Sequence, residues 1–135
     1  IKANNIQNVL VYNFALGFNG FLYLNPKPNP LYTKTSKTSG KFKIPSMSLD
    51  TLYEVLREKL GDLRKYKVVV KIDVEGGELD IIRNGLKFLK EVSPHLIIEC
   101  ESGSFNELNN CLKRLGYNGY HIFGSYYTFT SKNLT

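Results

Sequence analysis

The sequence has few cysteines and no long apolar run. Of its two cysteines, Cys100 lies in an apolar stretch and Cys111 in a helical pattern, so we interpret both as buried thiols rather than a disulfide or a metal pair. The two histidines, His95 and His121, lack the spacing of a zinc site. No segment approaches the ~20 apolar residues of a membrane-spanning helix, and the amino terminus lacks a basic-then-apolar secretion signal. The sequence therefore predicts a cytoplasmic protein without a membrane span.

Acidic residues are scarce in one segment. The net charge of +6 comes mainly from residues 27–67, which hold ten Lys/Arg against four acids, whereas residues 68–135 hold seven against eight. The basic segment is rich in Ser, Thr and Gly and poor in aromatic residues, which favours a solvated loop over a nucleic-acid surface. The positive charge leaves one further alternative open. The segment could attract an anionic substrate, such as a phosphorylated or nucleotide-linked sugar.

The pattern of apolar and turn residues predicts one domain, since 135 residues suffice for a single core. Residues 1–24 are predicted to form a strand and a hairpin, residues 25–47 an irregular basic loop, and residues 48–135 an alternation of helices and strands. The predicted strands cover residues 9–16, 21–24, 66–73, 95–100, 120–123 and 126–129, and the predicted helices cover residues 49–60, 78–90 and 104–115. Such alternation is typical of an α/β fold with a mostly parallel sheet, here closed by an antiparallel hairpin about Gly124-Ser125.

The most informative stretch is an apolar strand that runs into acidic residues and a glycine pair. Residues 68–72 are mostly β-branched, which is typical of a strand covered on both faces. Asp73 follows at the carboxyl end of this strand, where open α/β sheets bind their ligands. Gly76-Gly77 allows a tight turn into the next helix. A second apolar strand ends in Glu99 and Glu101, so we expect one of these acids to face Asp73.

The predicted acidic cluster has several chemical uses. Clustered carboxylates accept a proton from a hydroxyl nucleophile, hold a polyol by hydrogen bonds, or bind a hard cation such as Mg²⁺. For Asp73 the sequence favours function, because a carboxylate at the end of a buried strand is costly to desolvate without a partner. Glu78 fits a site and a helix start about equally, and Asp80 fits a helix start better. Lys71 is placed to pair with an acid.

The segment 71–78, Lys-Ile-Asp-Val-Glu-Gly-Gly-Glu, followed by Ile82 and Gly85, resembles the hallmark segment of the FkbM-type S-adenosylmethionine-dependent methyltransferases. Three further stretches agree with that family in order along the chain, namely residues 8–20, 48–52 and 96–99. The resemblance covers nearly the whole chain. It implies a Rossmann-like class I methyltransferase sheet, and it implies transfer of a methyl group to a hydroxyl of a sugar, a polyketide or a related metabolite.

The resemblance also implies roles for individual residues. The implied catalytic residues are Asp73, Glu75, Glu78 and Glu99, and the implied S-adenosylmethionine-binding residues are Asn13, Phe14, Ala15 and Asp73. No metal ligand is assigned. The implied mechanism is an in-line displacement, in which the protein aligns the acceptor oxygen and Asp73 orients or deprotonates it.

The glycine-rich turn with which the family holds its cofactor is missing from this sequence, which has no Gly-x-Gly-like run. We therefore expect these residues to be the carboxyl-terminal part of a methyltransferase domain. Such a part is expected to bind S-adenosylmethionine weakly or not at all by itself. It is also expected to expose a sheet edge through which it pairs with a second copy.

A second interpretation is a non-catalytic relative of the methyltransferases that binds a glycan or a protein partner. Its binding surface would be formed by tyrosines of the last third of the chain, which are Tyr117, Tyr120, Tyr126 and Tyr127. Tyrosines are also common at the edges of ordinary strands. A measurement of cofactor binding therefore distinguishes this interpretation from that of a methyltransferase.

Overall fold

The computed structural model describes residues 6–26, 34–74 and 76–131 of the chain. The strands are β1 (Ala15–Gly17), β2 (Gly20–Asn25), β3 (Lys34–Ser36), β4 (Phe42–Ser48), β5 (Val69–Ile72), β6 (His95–Glu99), β7 (Tyr117–Phe123) and β8 (Tyr126–Ser131). The helices are α1 (Leu49–Leu60), α2 (Glu78–Arg83), α3 (Leu86–Val92) and α4 (Ser102–Lys113). Within the described ranges, every helix is too short or too polar to cross a membrane.

The described strands form two four-stranded sheets. Sheet A has the strand order β1-β4-β2-β3, and sheet B has the order β5-β6-β8-β7. The pairs β1–β4 and β5–β6 are parallel, and the other pairs in both sheets are antiparallel. The prediction of one mostly parallel, Rossmann-like sheet is therefore wrong.

Short connections and the path of the last strand explain the antiparallel pairing. The two-residue turn Gly124-Ser125 joins β7 to β8 as the predicted antiparallel hairpin, because so short a link cannot reach a parallel partner. β8 then returns between β7 and β6, which gives β6 an antiparallel neighbour. The segment 25–47, predicted to be irregular, contains β3 and most of β4, and both pair antiparallel with β2.

The hydrophobic core joins sheet B to the helices. Leu96 and Ile98 of β6 and Phe129 of β8 are wholly buried, and burial of such a side chain contributes about 1.5–3 kcal/mol to folding. Residues from all four helices complete the core, including Tyr53, Ile82, Leu89 and Leu112. Because β6 lies at the centre of this packing, the carboxyl ends of β5 and β6 have fixed positions.

Helix α1 begins and ends where local sequence signals predict. The Thr51 N–H donates to Ser48 Oγ at 3.0 Å, which caps the first turn. Gly61 follows the last turn with φ of 82° and ends the helix. Leu49 and Tyr53 are buried against the core.

The predicted helix over residues 78–90 is broken into α2 and α3. Gly85 separates them, and a Cβ atom at this position would lie 2.6 Å from Leu49 Cδ2. The Asp50 carboxylate accepts hydrogen bonds from the N–H groups of Lys87 at 3.2 Å and Phe88 at 2.9 Å, which caps α3. The start of α1 therefore packs into the break, and this long-range contact overrides the local helical pattern.

The first predicted strand is shorter in the structure. Of the predicted residues 9–16, only Ala15 and Leu16 belong to β1, which pairs with β4. Residues 9–12 are apolar but exposed, and Val11 is 70% exposed. Their composition favours a strand, but a strand needs a neighbour, and within the described residues none pairs with them.

Candidate active site

The carboxyl ends of β5 and β6 bring two predicted site residues together. These parallel strands pair Ile72 with Ile98, so the next residues, Asp73 and Glu99, lie side by side at the same edge of sheet B. Glu99 is among the groups that lower the pKa of Asp73, so the two carboxyl groups lie close together. Of the two acids expected to face Asp73, Glu99 is the one that follows its strand partner, and we call Asp73 and Glu99 the carboxylate pair.

Three side chains donate to the carboxylate pair. Lys71 forms an ion pair with Asp73 Oδ2, as its position in the strand predicts. The Tyr126 hydroxyl donates to the same Oδ2 at 3.4 Å, and Ser125 Oγ donates to Glu99 Oε1 at 2.9 Å. Ser125 and Tyr126 belong to the turn and the first position of β8, so the carboxyl-terminal hairpin completes the site.

These contacts keep Asp73 ionised. The Lys71 ammonium, and after it hydrogen bonding with Glu99, lowers the pKa of Asp73 below its ordinary value. Hydrogen bonding with Glu99, followed by burial, raises the pKa of Tyr126, so its hydroxyl remains a donor. The Asp73 side chain is 41% exposed, so the desolvation argument from the sequence does not apply to it.

The turn between β5 and α2 is closed by Glu78. This glutamate is buried, and its Oε1 accepts a hydrogen bond from the Gly76 N–H at 3.0 Å. Gly76 has φ of 90°, a conformation that favours glycine. Burial, and after it the charge of Glu78, raises the pKa of the Cys100 thiol. Glu75, the fourth predicted catalytic acid, lies outside the described residues.

A cavity of about 410 Å³ lies between this turn and sheet A. Phe14, Ala15 and Phe18 line one wall, and Val74 with the two turn glycines lines another. The volume falls in the range of roughly 300–1,000 Å³ that is typical of small-molecule sites. Of the strand residues assigned to the cofactor, Phe14 and Ala15 line the cavity, whereas Asn13 is exposed just before them.

Opposite charges meet at the cavity wall. Lys37 Nζ and Asp80 Oδ2 are 2.7 Å apart, and both residues line the cavity. Asp80 lies in the first turn of α2, as the helix-start interpretation expects, and it also ties α2 to the residues after β3. The cavity therefore offers aromatic rings, an ammonium group and a carboxylate to a ligand.

Comparison with protein-family models identifies residues 4–118 as a methyltransferase FkbM domain. The chain belongs to the FkbM methyltransferase family. The matched residues include the carboxylate pair and the described residues that line the cavity, and the match confirms the family resemblance of the sequence. Comparisons with curated proteins and with solved structures return no match.

Several described residues of this FkbM methyltransferase site carry no role in the sequence-based prediction, and three of them bear on the chemistry. Phe18 and Lys37 line the cavity, and Ser125 contacts the carboxylate pair. Ser125 stands next to Tyr126 in a hairpin turn that the sequence predicts, but only the pairing of β8 with β6 brings that turn to Glu99. Lys37 is one of many lysines in the basic segment, and no local signal distinguishes it.

Proposed function

We propose that this protein is an S-adenosylmethionine-dependent O-methyltransferase that acts on a hydroxyl group of a sugar, a polyketide or a related metabolite. The observation that carries this proposal is that the carboxylate pair adjoins the cavity, since Asp73 directly precedes Val74 in the cavity wall. A group suited to an acceptor hydroxyl thus lies beside a space suited to a methyl donor. Membership of the FkbM family supports methyl transfer as the reaction class.

The cavity residues fit S-adenosylmethionine in chemistry. Phe14 and Phe18 offer aromatic surface to its adenine ring, and Lys37 and Asp80 offer opposite charges to its carboxylate and ammonium groups. When bound, the cofactor supplies an electrophilic methyl group. The Lys37–Asp80 ion pair has to open for this, which costs little because the two side chains are 57% and 37% exposed.

Asp73 is the residue that handles the acceptor. Its carboxylate accepts a hydrogen bond from the acceptor hydroxyl and takes the proton as the oxygen is methylated. Lys71 and Tyr126 hold the carboxylate in one orientation. A carboxylate with a lowered pKa is a weak base, but alignment of the acceptor oxygen supplies much of the rate in an in-line displacement.

The other predicted acids have supporting roles in this proposal. Glu99 positions Asp73 and holds the hairpin through Ser125, and Glu78 fixes the turn between the acceptor side and the cavity. For Glu75 the family resemblance alone supports such a role.

A non-catalytic module that binds a glycan or a protein partner is the second candidate. It is favoured by Tyr120 and Phe123, which are 58% and 65% exposed on β7. Two tyrosines that the sequence assigns to such a surface have other roles. Tyr117 is buried and donates to the Leu89 carbonyl at 3.2 Å, and Tyr127 stacks against a ring of α4.

The test uses the protein as its gene encodes it. Calorimetry measures the affinity for S-adenosylmethionine, and methyl-labelled cofactor is then incubated with a panel of sugars and other alcohols. We expect binding that Phe14→Ala weakens, and label in an ether linkage of at least one acceptor. Phe42→Ala is the control, because this phenylalanine of sheet A does not line the cavity. Failure to bind the cofactor would contradict the proposal and favour the binding module.

The 135-residue chain tested alone has a different expected result. Its sequence lacks the glycine-rich turn, so we expect weak cofactor binding or none. A tight complex between this chain and S-adenosylmethionine would contradict that expectation.

A further inference from the structure

We propose that the turn of the β7–β8 hairpin recognises the methyl acceptor, and that Phe123 determines specificity by packing against the carbon face of a neutral pyranose ring. The inference rests on the proposed function for the position of the reacting hydroxyl. It concerns residues beyond the family match, which ends at residue 118.

Phe123 is exposed and packs against Tyr126, which reaches the carboxylate pair. Its side chain is 65% exposed, although it closes a strand whose first residue, Tyr117, is buried. The register of β7 against β8 is irregular between His121 and Phe123. The ring centroid of Phe123 lies 5.3 Å from that of Tyr126. Since the Tyr126 hydroxyl reaches Asp73, an aromatic surface continues directly into the proposed reaction centre.

The turn is held in place relative to the carboxylates. The Cys100 N–H donates to the Ser125 carbonyl at 2.8 Å, and Ser125 Oγ donates to Glu99 at 2.9 Å. His121 Nε2 and the Gly124 carbonyl are 2.9 Å apart, which ties the turn to β7. Phe123 is therefore presented on a rigid support, so a ligand that packs on it loses little free energy to ordering of the protein.

The chemistry of this surface fits a neutral sugar better than the other acceptor classes. A pyranose has a face of C–H bonds, which packs on an aromatic ring, and a rim of hydroxyls, which donate to carboxylates. An apolar alcohol would remove water from Asp73 and Glu99 without replacing their hydrogen bonds. A sugar acid would bring a further negative charge beside the ionised Asp73, where Lys71 supplies one positive charge.

Saturation-transfer NMR with methyl α-D-glucopyranoside as the probe tests this inference on the protein as its gene encodes it. We expect saturation transfer to the C–H protons of the pyranoside, and a loss of at least fivefold in Phe123→Ala. Phe123→Tyr is expected to restore the signal, because it keeps an aromatic ring. Tyr66→Ala is the matched control, since Tyr66 is 60% exposed but lies at the opposite end of β5.

Cyclohexylmethanol and glucuronic acid serve as the apolar and the anionic probe, and both are expected to give weaker transfer than the pyranoside. The inference is overturned if the pyranoside gives no signal, if Phe123→Ala keeps the signal, or if either comparison probe binds as well. Cofactor binding without pyranoside binding would overturn the role of the hairpin turn and leave the proposed function intact. Pyranoside binding through Phe123 without cofactor binding would support sugar recognition by the hairpin turn and contradict the proposed function.

Discussion

At the scale of single residues, Asp73 has its charge set by one strand neighbour. The Lys71 ammonium is the largest cause of the lowered pKa of Asp73. Because the folded pKa is lowered, the ion pair stabilises the fold above the ordinary aspartate pKa of about 4, and this contribution is lost as the pH falls through the lowered value. Activity is expected to fall over the same pH range, because it requires the ionised carboxylate.

Replacing Lys71 by Met tests this electrostatic role. The substitution removes the ammonium and keeps a long side chain, so the pKa of Asp73 rises. Since only ionised Asp73 accepts the acceptor proton, the acid limb of the pH profile of kcat/KM is expected to move to higher pH. Lys87→Met is the control, because Lys87 forms an ion pair with Glu54 instead. An acid limb that stays in place in Lys71→Met would contradict this role of the lysine.

At the scale of elements, the junction of α2 and α3 depends on contact with the start of α1. Gly85 lies against Leu49, and Asp50 caps α3 through the Lys87 and Phe88 N–H groups. The α2 side of this junction also carries Glu78 and Asp80, so the packing of α1 helps to position the wall of the cavity.

The Gly85→Ala substitution tests this close approach. The new Cβ would lie 2.6 Å from Leu49 Cδ2 and 2.9 Å from Leu49 Cβ, so we expect the free energy of unfolding to fall by about 1–3 kcal/mol. Gly103→Ala is the matched control in α4, where an added Cβ meets nothing within 4 Å. It is expected to raise stability by about 0.5 kcal/mol through helix propensity. Urea denaturation measures both changes in the free energy of unfolding. Equal changes for the two substitutions would contradict the close approach of Gly85 to Leu49.

The predictability of these elements follows the range of the interactions that form them. Helix α1 is predictable because Ser48 and Gly61 act on their own helix. The break at Gly85 is not predictable from local sequence, because it depends on Leu49, a residue 36 positions earlier in the chain. The proximity of Asp73 and Glu99 is predictable from two strand ends alone. The contact of Ser125 with Glu99 is not predictable in this way. It requires β8 to return beside β6, and local sequence does not specify that pairing.

At the scale of the whole molecule, sheet B ends on one side at β5. This strand pairs only with β6 in the described structure, and Val69 is 62% exposed. An edge strand with apolar side chains is a template for pairing with another chain. We therefore propose that this chain self-associates through the outer edge of β5.

Light scattering over a range of concentrations tests the self-association of the 135-residue chain. Val69→Lys places a charge on the edge of β5 and is expected to shift the chain to monomer. Ile122→Lys is the control on β7, the opposite edge strand of sheet B, where Ile122 is 47% exposed. If only Ile122→Lys dissociates the assembly, the pairing edge is β7 and the proposal for β5 is wrong. A chain that is monomeric at every concentration would rule out pairing through either edge.

The central claim is that Asp73 orients and deprotonates the acceptor hydroxyl, and turnover by the Asp73→Asn protein tests it most directly. The amide keeps the shape of the side chain but cannot take a proton, so turnover is expected to fall by roughly 10²- to 10⁴-fold, with the fold and cofactor affinity unchanged. Glu101→Gln removes an exposed carboxylate two residues after Glu99 and is expected to turn over normally. Near-normal turnover by Asp73→Asn would contradict the account.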